Sequence, residues 1–97
     1  MSPAKRHMDL VARAGCVLGN RAMGEHCAGR IECHHVAVGS GKRSDFATVG
    51  LCTFHHRGPA GLHGMGPQAF CRLYRPPWEK EEGLLVWVNE DIQRGSG

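Results

Sequence analysis

Residues 48–57 read TVGLCTFHHR, and this stretch decides the fold that the sequence predicts. Its first half, Thr48–Cys52, is a short, largely apolar run typical of a buried strand. Cys52 and His55 follow with two residues between them, which is the spacing of a zinc knuckle. His56 places a second imidazole directly beside the first. The stretch therefore predicts a strand that leads straight into a metal-binding turn.

A second histidine pair lies upstream, in residues 30–38, which read RIECHHVAV. This segment suits another strand, because side chains that alternate between two faces are typical of β structure. One face would carry Ile31, Cys33 and His35, and the other Glu32, His34 and Val36. Residues 39–44 (GSGKRS) are expected to form a glycine-rich, basic loop between the two strands.

The segments around the strands predict helices and turns. Residues 7–14 suit a short helix or turn, and residues 57–66, with four glycines and a proline, suit a loop that delivers His63. Pro67 fits the first position of a helix over residues 68–74. That helix would bury Phe70, Leu73 and Tyr74, and Pro76–Pro77 would end it.

The tail from Glu79 to Arg94 suits a last helix, because an acidic first turn favours a helix N-terminus. Its apolar stripe would consist of Leu84, Leu85, Val88 and Ile92, although residues 85–88 (LVWV) could equally form a strand. The order of elements predicts a small α+β fold in a single domain over residues 1–97. Its core covers about 15–75, and an acidic C-terminal helix or tail covers about 78–97.

The chain has only 97 residues, with 14 glycines and five prolines, and a domain of this size often needs a metal ion or disulfides. Its five cysteines are an odd number, and its charged start lacks the apolar segment of a secretory signal. We therefore expect thiols or metal ligands in a reducing cytoplasm rather than disulfides. No apolar run reaches the length of a membrane span, so no membrane partner is expected.

The net charge of +3 is unevenly distributed. Residues 1–75 carry a net charge of +6, and residues 76–97 carry −3. A basic body fits a polyanionic partner such as DNA, although an ordinary solvated surface would explain it equally well.

A first metal site can be drawn from the cysteines. Four ligands, Cys16, Cys27, Cys52 and His55, would close a tetrahedral structural zinc site. Cys16 and Cys27 are farther apart in sequence than the two ligands of a zinc knuckle usually are, so His26 or Cys33 could replace one of them. The plainer alternative is that these cysteines are buried small apolar residues, as Cys33 and Cys71 are expected to be.

A second site would use His34, His56 and His63. Three imidazoles leave positions open for water and a phosphate oxygen, which is the arrangement of a catalytic metal. His35 points away from His34 along the strand and is free to act as a general base toward water. The alternative is that one or two of these histidines are solvated surface residues.

These residues carry a resemblance to a known family. The runs IECHHV (31–36), TVGLCTFHHR (48–57) and GLHGMG (61–66), followed by Ala69–Phe70, resemble the HNH (His-Me finger) endonucleases. More narrowly, they are similar to small phage members related to the RecA-dependent recombination-enhancement nucleases. The resemblance covers about residues 15–75. It implies a ββα-metal core with a structural zinc knuckle and flanking helices.

The resemblance also implies roles for residues of this chain. His35 is the general base, and His34, His56 and His63 bind the catalytic divalent cation, Mg²⁺ or another. Cys52 and His55 are half of the zinc knuckle. The chain departs from the family pattern in two places. Ala47 lies near the position of the usual motif Asn, which leaves Asp45 or Thr48 to orient the base. The compact Cys-x-x-Cys of closer relatives is also missing.

The expected function is a metal-dependent DNA endonuclease that hydrolyses phosphodiester bonds. It would act in the cytoplasm of a bacterial or phage-infected host cell, in DNA recombination or processing, with a recombinase as a possible partner by resemblance. Arg57, next to His56, is expected to contact the scissile phosphate. Four further basic residues are expected to hold the DNA backbone: Lys42, Arg43, Arg72 and Arg75. The alternative is a non-catalytic zinc-stabilised module that binds nucleic acid or protein.

Overall fold

A computed structural model describes residues 2–23, 27–38 and 43–95 of the chain. The fold is a small α+β arrangement in which helices surround a two-stranded antiparallel sheet. The elements are α1 (Pro3–Ala14), β1 (Ile31–His35), β2 (Thr48–Cys52), α2 (Thr53–Arg57), α3 (Leu62–Met65), α4 (Pro67–Tyr74) and α5 (Gly83–Gly95). Short 3₁₀ turns occupy Gly19–Arg21 and Pro77–Glu79. Within the described ranges, no helix is long and apolar enough to cross a membrane.

The sheet separates two sets of side chains. In its register Ile31 lies opposite Cys52, and His35 lies opposite Thr48. Glu32 and His34 contact α2, whereas Cys33 lies on the side of α1, with its Sγ 3.6 Å from the Met8 carbonyl oxygen. The two predicted strands and their alternation are confirmed, although β1 covers Ile31–His35 rather than the whole of residues 30–38. All five residues of β2 are buried, so this strand forms the centre of the domain.

Helix α1 is longer than the sequence pattern predicted. It begins at Pro3, where the Ser2 side chain accepts a hydrogen bond from the Lys5 backbone N–H (3.1 Å). A serine N-cap followed by proline is a strong helix start, although it lies in a charged stretch with few apolar residues. Val11 is fully buried, and α1 packs against both strands and α5.

The last two helices agree with the sequence in part. Pro67 opens α4 as predicted, and Phe70 and Tyr74 are buried, but the prediction that Leu73 is buried is wrong because 58% of it is exposed. Helix α5 begins at Gly83 rather than Glu79, because residues 77–82 form a turn. The alternative of a strand over residues 85–88 is wrong, since these residues lie within α5.

The glycine-rich segment 57–66 contains a helical turn, α3, where a loop was predicted. Its glycines allow backbones to pack closely. A Cβ at Gly61 would lie 2.7 Å from the carbonyl oxygens of Phe54 and His55, and one at Gly64 would overlap the Gly58 carbonyl. Only glycine permits this approach, which brings α3 onto the end of α2.

Arg21 ties the segment after α1 to the C-terminal helix. Its guanidinium donates to Asp91 Oδ2 (2.9 Å), Glu90 Oε1 (2.8 Å), the Val17 carbonyl (3.1 Å) and the Trp87 carbonyl (3.1 Å). The Asp91 side chain is only 3% exposed and that of Arg21 only 13%. The pair is therefore buried, and it fixes α5 against the segment that begins with Cys16.

We expect Arg21→Ala to lower the free energy of unfolding by about 3 kcal/mol. The buried Asp91 carboxylate would lose its counter-charge and keep only the hydrogen bond from the Asn20 amide (3.0 Å). Urea denaturation at a fixed zinc concentration measures this change. The matched control is Arg75→Ala, whose exposed ion pair with Glu79 spans 3.7 Å and is expected to contribute less than about 0.5 kcal/mol. If the two substitutions lowered the free energy of unfolding equally, burial of the Arg21–Asp91 pair would not explain its contribution.

Candidate metal centres

Four side chains from three parts of the chain meet at the first candidate centre. Cys16 follows α1, Cys27 opens the segment before β1, Cys52 ends β2 and His55 lies in α2. The backbone N–H groups of Thr53 and Phe54 donate to the carbonyls of Arg30 (3.0 Å) and Ala28 (3.1 Å). These two bonds hold the segment with Cys27 against the start of α2, and so bring Cys27 to Cys52.

The distances at this centre suit a tetrahedral zinc ion. His55 Nδ1 lies 3.1 Å from the sulfur of Cys52, 3.6 Å from that of Cys16 and 3.7 Å from that of Cys27. A zinc ion at about 2.3 Å from sulfur and about 2.0 Å from nitrogen separates those ligand atoms by about 3.5 Å. The four side chains are thus positioned to bind a metal, and the donor set is compatible with structural zinc.

The pKa values of the cysteine thiols also favour a metal ion at this centre. Desolvation, followed by contacts with Cys52 and Cys16, raises the pKa of Cys27 to about 12. Desolvation also acts on Cys52, but hydrogen bonds from the backbone N–H groups of His55 and Ala28 outweigh it and lower the pKa of that thiol. Three thiols this close cannot all ionise without a compensating cation, and a divalent metal ion supplies that charge.

A second cluster forms where β1, α2 and α3 meet. His56 Nε2 lies 3.3 Å from His34 Nδ1 and 3.1 Å from His63 Nε2. One ligand atom from each of these histidines lies within 4.8 Å of the others. A tetrahedral metal with nitrogen ligands at about 2.0–2.1 Å separates those nitrogens by about 3.3 Å. The three predicted side chains therefore share a geometry that fits a metal ion.

Two carboxylates set the orientation of the rings in this cluster. His56 Nδ1 donates to Glu32 Oε1 (2.6 Å), and His34 Nε2 donates to Glu81 Oε2 (3.1 Å). The hydrogen bond from His56, together with the charge of Arg57 and against some desolvation, lowers the pKa of Glu32. Carboxylates that hold the outer ring nitrogen of a histidine are common behind metal ligands.

The hydrogen bonds to the carboxylates determine which ring nitrogens carry lone pairs. In its neutral, ligating form an imidazole has a single N–H, so in that form His34 Nδ1 and His56 Nε2 would face each other with lone pairs 3.3 Å apart. Two lone pairs at this distance repel unless a positive charge lies between them. Desolvation, followed by the charges of His56 and His34, lowers the pKa of His63, which favours its neutral, ligating form.

The donor set of the second cluster also indicates which cations suit it. Three imidazole nitrogens favour borderline transition ions such as Zn²⁺ and Ni²⁺. Mg²⁺ prefers oxygen ligands, and no carboxylate oxygen belongs to the cluster within the described part of the chain. Among the divalent cations considered from the sequence, the geometry therefore favours a transition metal over Mg²⁺.

His35 lies apart from the three-histidine cluster, on the opposite face of β1. Its Nε2 donates to Asp45 Oδ1 (2.8 Å), and one third of the side chain is exposed. The Thr48 hydroxyl donates to the Asp45 carbonyl (3.1 Å), which fixes the turn that presents this carboxylate. The contact gives the ring a defined orientation, and in the tautomer that donates from Nε2 the lone pair is on Nδ1.

The predicted basic residues differ in their relation to the clusters. Arg57 is linked to the histidine cluster through Glu32: its Nε donates to Glu32 Oε1 (3.0 Å), and 66% of its side chain is exposed. Arg43, Arg72 and Arg75 are exposed at the surface. Lys42 lies outside the described residues.

No known protein family, curated protein or solved structure matches the chain. The geometry of the two clusters and the chemistry of their side chains are therefore the basis for any assignment of function.

The sequence did not indicate the two carboxylates behind the histidines. Glu32 had a usable signal, because strand alternation places it on the same face as His34. Glu81 had none, since its contact with His34 joins residues 47 positions apart. A contact between residues so far apart in sequence depends on how the C-terminal segment packs against the hairpin. No local sequence pattern specifies that packing.

Proposed function

We propose that the protein is a metal-dependent DNA endonuclease of the HNH (His-Me finger) type, with a ββα-metal core formed by β1, β2 and α2. The observation that carries the proposal is the convergence of His34 Nδ1, His56 Nε2 and His63 Nε2, with carboxylates behind two of the rings. The sulfur-rich centre would hold the structural metal, which leaves these three histidines for chemistry.

A divalent cation bound by the three histidines would act as a Lewis acid toward a phosphate oxygen. His35 adjoins the ligand His34 and is the last residue of β1, so in this proposal the attacking water reaches both the phosphate and His35 Nδ1 around the end of the strand. His35 would accept the proton of that water at Nδ1, while Asp45 would hold its Nε2–H and stabilise the imidazolium that forms. The hydroxide oxygen would bond to phosphorus as the bond from phosphorus to the 3′ oxygen breaks. The leaving 3′ oxygen would take a proton from solvent water, and His35 would then return its proton to solvent. The proposed products are a 5′-phosphate and a 3′-hydroxyl.

Arg57 is the proposed phosphate contact. Glu32 holds it through Nε, which leaves the two terminal nitrogens of an exposed guanidinium for a bidentate contact with phosphate. The same carboxylate oxygen accepts from His56 Nδ1. Glu32 thus links the phosphate contact to a metal ligand, which supports a shared role in one site. Arg43, Arg72 and Arg75 are proposed to contact the DNA backbone elsewhere.

The test is cleavage of plasmid, duplex and single-stranded DNA with Mn²⁺, Ni²⁺, Zn²⁺ or Mg²⁺ added. We expect His35→Ala to lower the cleavage rate by about 100-fold or more, because a positioned base contributes about 10²–10⁴-fold. The control variant is His7→Ala, whose ring packs on Phe46 and belongs to neither group of candidate ligands. Cleavage by His35→Ala at the wild-type rate would remove His35 from the mechanism.

A non-catalytic zinc module that binds nucleic acid or protein is the second candidate. It is favoured by one observation, the buried Ala47 near the position where the resembling family has Asn. Metal stoichiometry separates the two candidates. One tightly bound zinc per chain, with no second divalent site and no cleavage with any metal, would favour the binding module.

A further inference from the structure

Glu81 joins the histidine cluster from outside the segment that supplies the ligands. It belongs to the turn before α5, and its Oε2 accepts a hydrogen bond from His34 Nε2 (3.1 Å). Both side chains are largely buried, with exposures of 11% for His34 and 23% for Glu81. The contact forms only when the C-terminal segment is folded against the hairpin.

We propose that Glu81 is a positioning residue of the three-histidine site, and that the C-terminal segment thereby sets the affinity of this site for its cation. The inference rests on the metal site of the proposed function. A carboxylate at Nε2 selects the tautomer of His34 in which Nδ1 carries the lone pair, and it makes that nitrogen a better ligand. Without Glu81, the ring is free to rotate or to place its proton on Nδ1.

The turn that carries Glu81 is under backbone strain. Trp78 and Glu79 are consecutive non-glycine residues in the left-handed region, with φ values of 60° and 52°. The turn is held by backbone hydrogen bonds from Glu79 N–H to the Pro76 carbonyl (2.7 Å) and from Gly83 N–H to the Lys80 carbonyl (2.9 Å). Strain of this kind persists where the surrounding structure demands a particular geometry, often at functional sites.

The start of α5 fixes the other end of the turn. A Cβ at Gly83 would overlap the backbone carbonyl of Pro77, so the turn closes on itself more tightly than any other residue would allow. Leu84 and Val88, which are 0% and 1% exposed, anchor the helix in the core. Core packing therefore fixes the position of the Glu81 carboxylate. Through its hydrogen bond, the carboxylate in turn fixes the orientation of the His34 ring.

Cobalt titration tests the proposal without reference to DNA cleavage. The protein is first loaded with one equivalent of zinc to fill the cysteine centre, and Co²⁺ is then added while its visible absorption is recorded. We expect Glu81→Ala to bind Co²⁺ about 10–100-fold more weakly than wild type. Glu81→Gln, which keeps an acceptor oxygen, is expected to recover part of the loss. The matched control is Glu82→Ala, an exposed neighbour whose affinity should stay within about twofold of wild type.

Gly83→Ala tests the position of Glu81 separately from its chemistry, because the added Cβ shifts the turn while the Glu81 side chain is unchanged. It should weaken Co²⁺ binding and leave one zinc at the cysteine centre, with the far-ultraviolet circular dichroism spectrum of the wild type. Wild-type affinity in Glu81→Ala, or no Co²⁺ site in the zinc-loaded wild type, overturns the inference. If Glu81→Ala weakens Co²⁺ binding but no metal supports cleavage, the inference stands and the proposed nuclease activity fails.

Discussion

Replacement of Cys52 by serine is expected to leave the domain unfolded at 25 °C. Cys52 is fully buried, and its sulfur lies 3.1 Å from His55 Nδ1 at the sulfur-rich centre. Apparent zinc-binding free energies of about 10–16 kcal/mol are as large as the whole stability of a typical domain, about 5–15 kcal/mol. A serine oxygen is a poor zinc ligand, so most of this stabilisation would be lost.

The measurements are zinc content per chain and the circular dichroism spectrum, for the variant and for wild type treated with a chelator. Both samples should show the same loss of structure. Cys33→Ser is the matched control, because Cys33 is half-buried beside α1 and lies outside the metal centre. It should retain one zinc and a cooperative unfolding transition. A folded Cys52→Ser protein without zinc would show that the centre is not structural.

Local patterns were sufficient for the parts of the fold whose contacts are close in sequence. The two strands, their alternation and the start of α4 at Pro67 followed from residue type and spacing alone. Each of these features depends on neighbours within a few positions. The convergence of His34 with His56 also had a local basis, because the register pairs β1 with β2 and α2 follows β2 at once.

The errors arose where distant backbone packing overrides local preference. Glycines at positions 61 and 64 argued against a helix, yet they permit the close approach between α3 and α2 that brings His63 to His56. Leu73 has the helical spacing of a buried residue relative to Phe70, but no other described element covers that part of the α4 surface. The contact between Glu81 and His34 belongs to the same class, since it depends on the fold of the C-terminal segment.

Replacement of His56 by alanine is expected to have the largest effect on the proposed activity. His56 is the shared member of its cluster, since its Nε2 lies 3.3 Å from His34 Nδ1 and 3.1 Å from His63 Nε2. Its loss leaves two imidazoles, which hold a divalent ion weakly. A catalytic metal contributes several kcal/mol, and each 1.36 kcal/mol is a factor of ten in rate, so we expect cleavage to fall about 10³-fold or more.

The decisive comparison follows three quantities in the same samples: cleavage rate, zinc at the cysteine centre and Co²⁺ bound at the histidine cluster. His56→Ala should lose the cleavage and the Co²⁺ while it keeps the zinc. Because His56 is buried, the exposed His63→Ala provides a second variant that perturbs packing less and should act in the same direction. Loss of Co²⁺ binding with unchanged cleavage would separate the histidine cluster from catalysis. Loss of all three quantities in His56→Ala but only of cleavage and Co²⁺ in His63→Ala would assign His56 a structural role in addition to its role as a ligand.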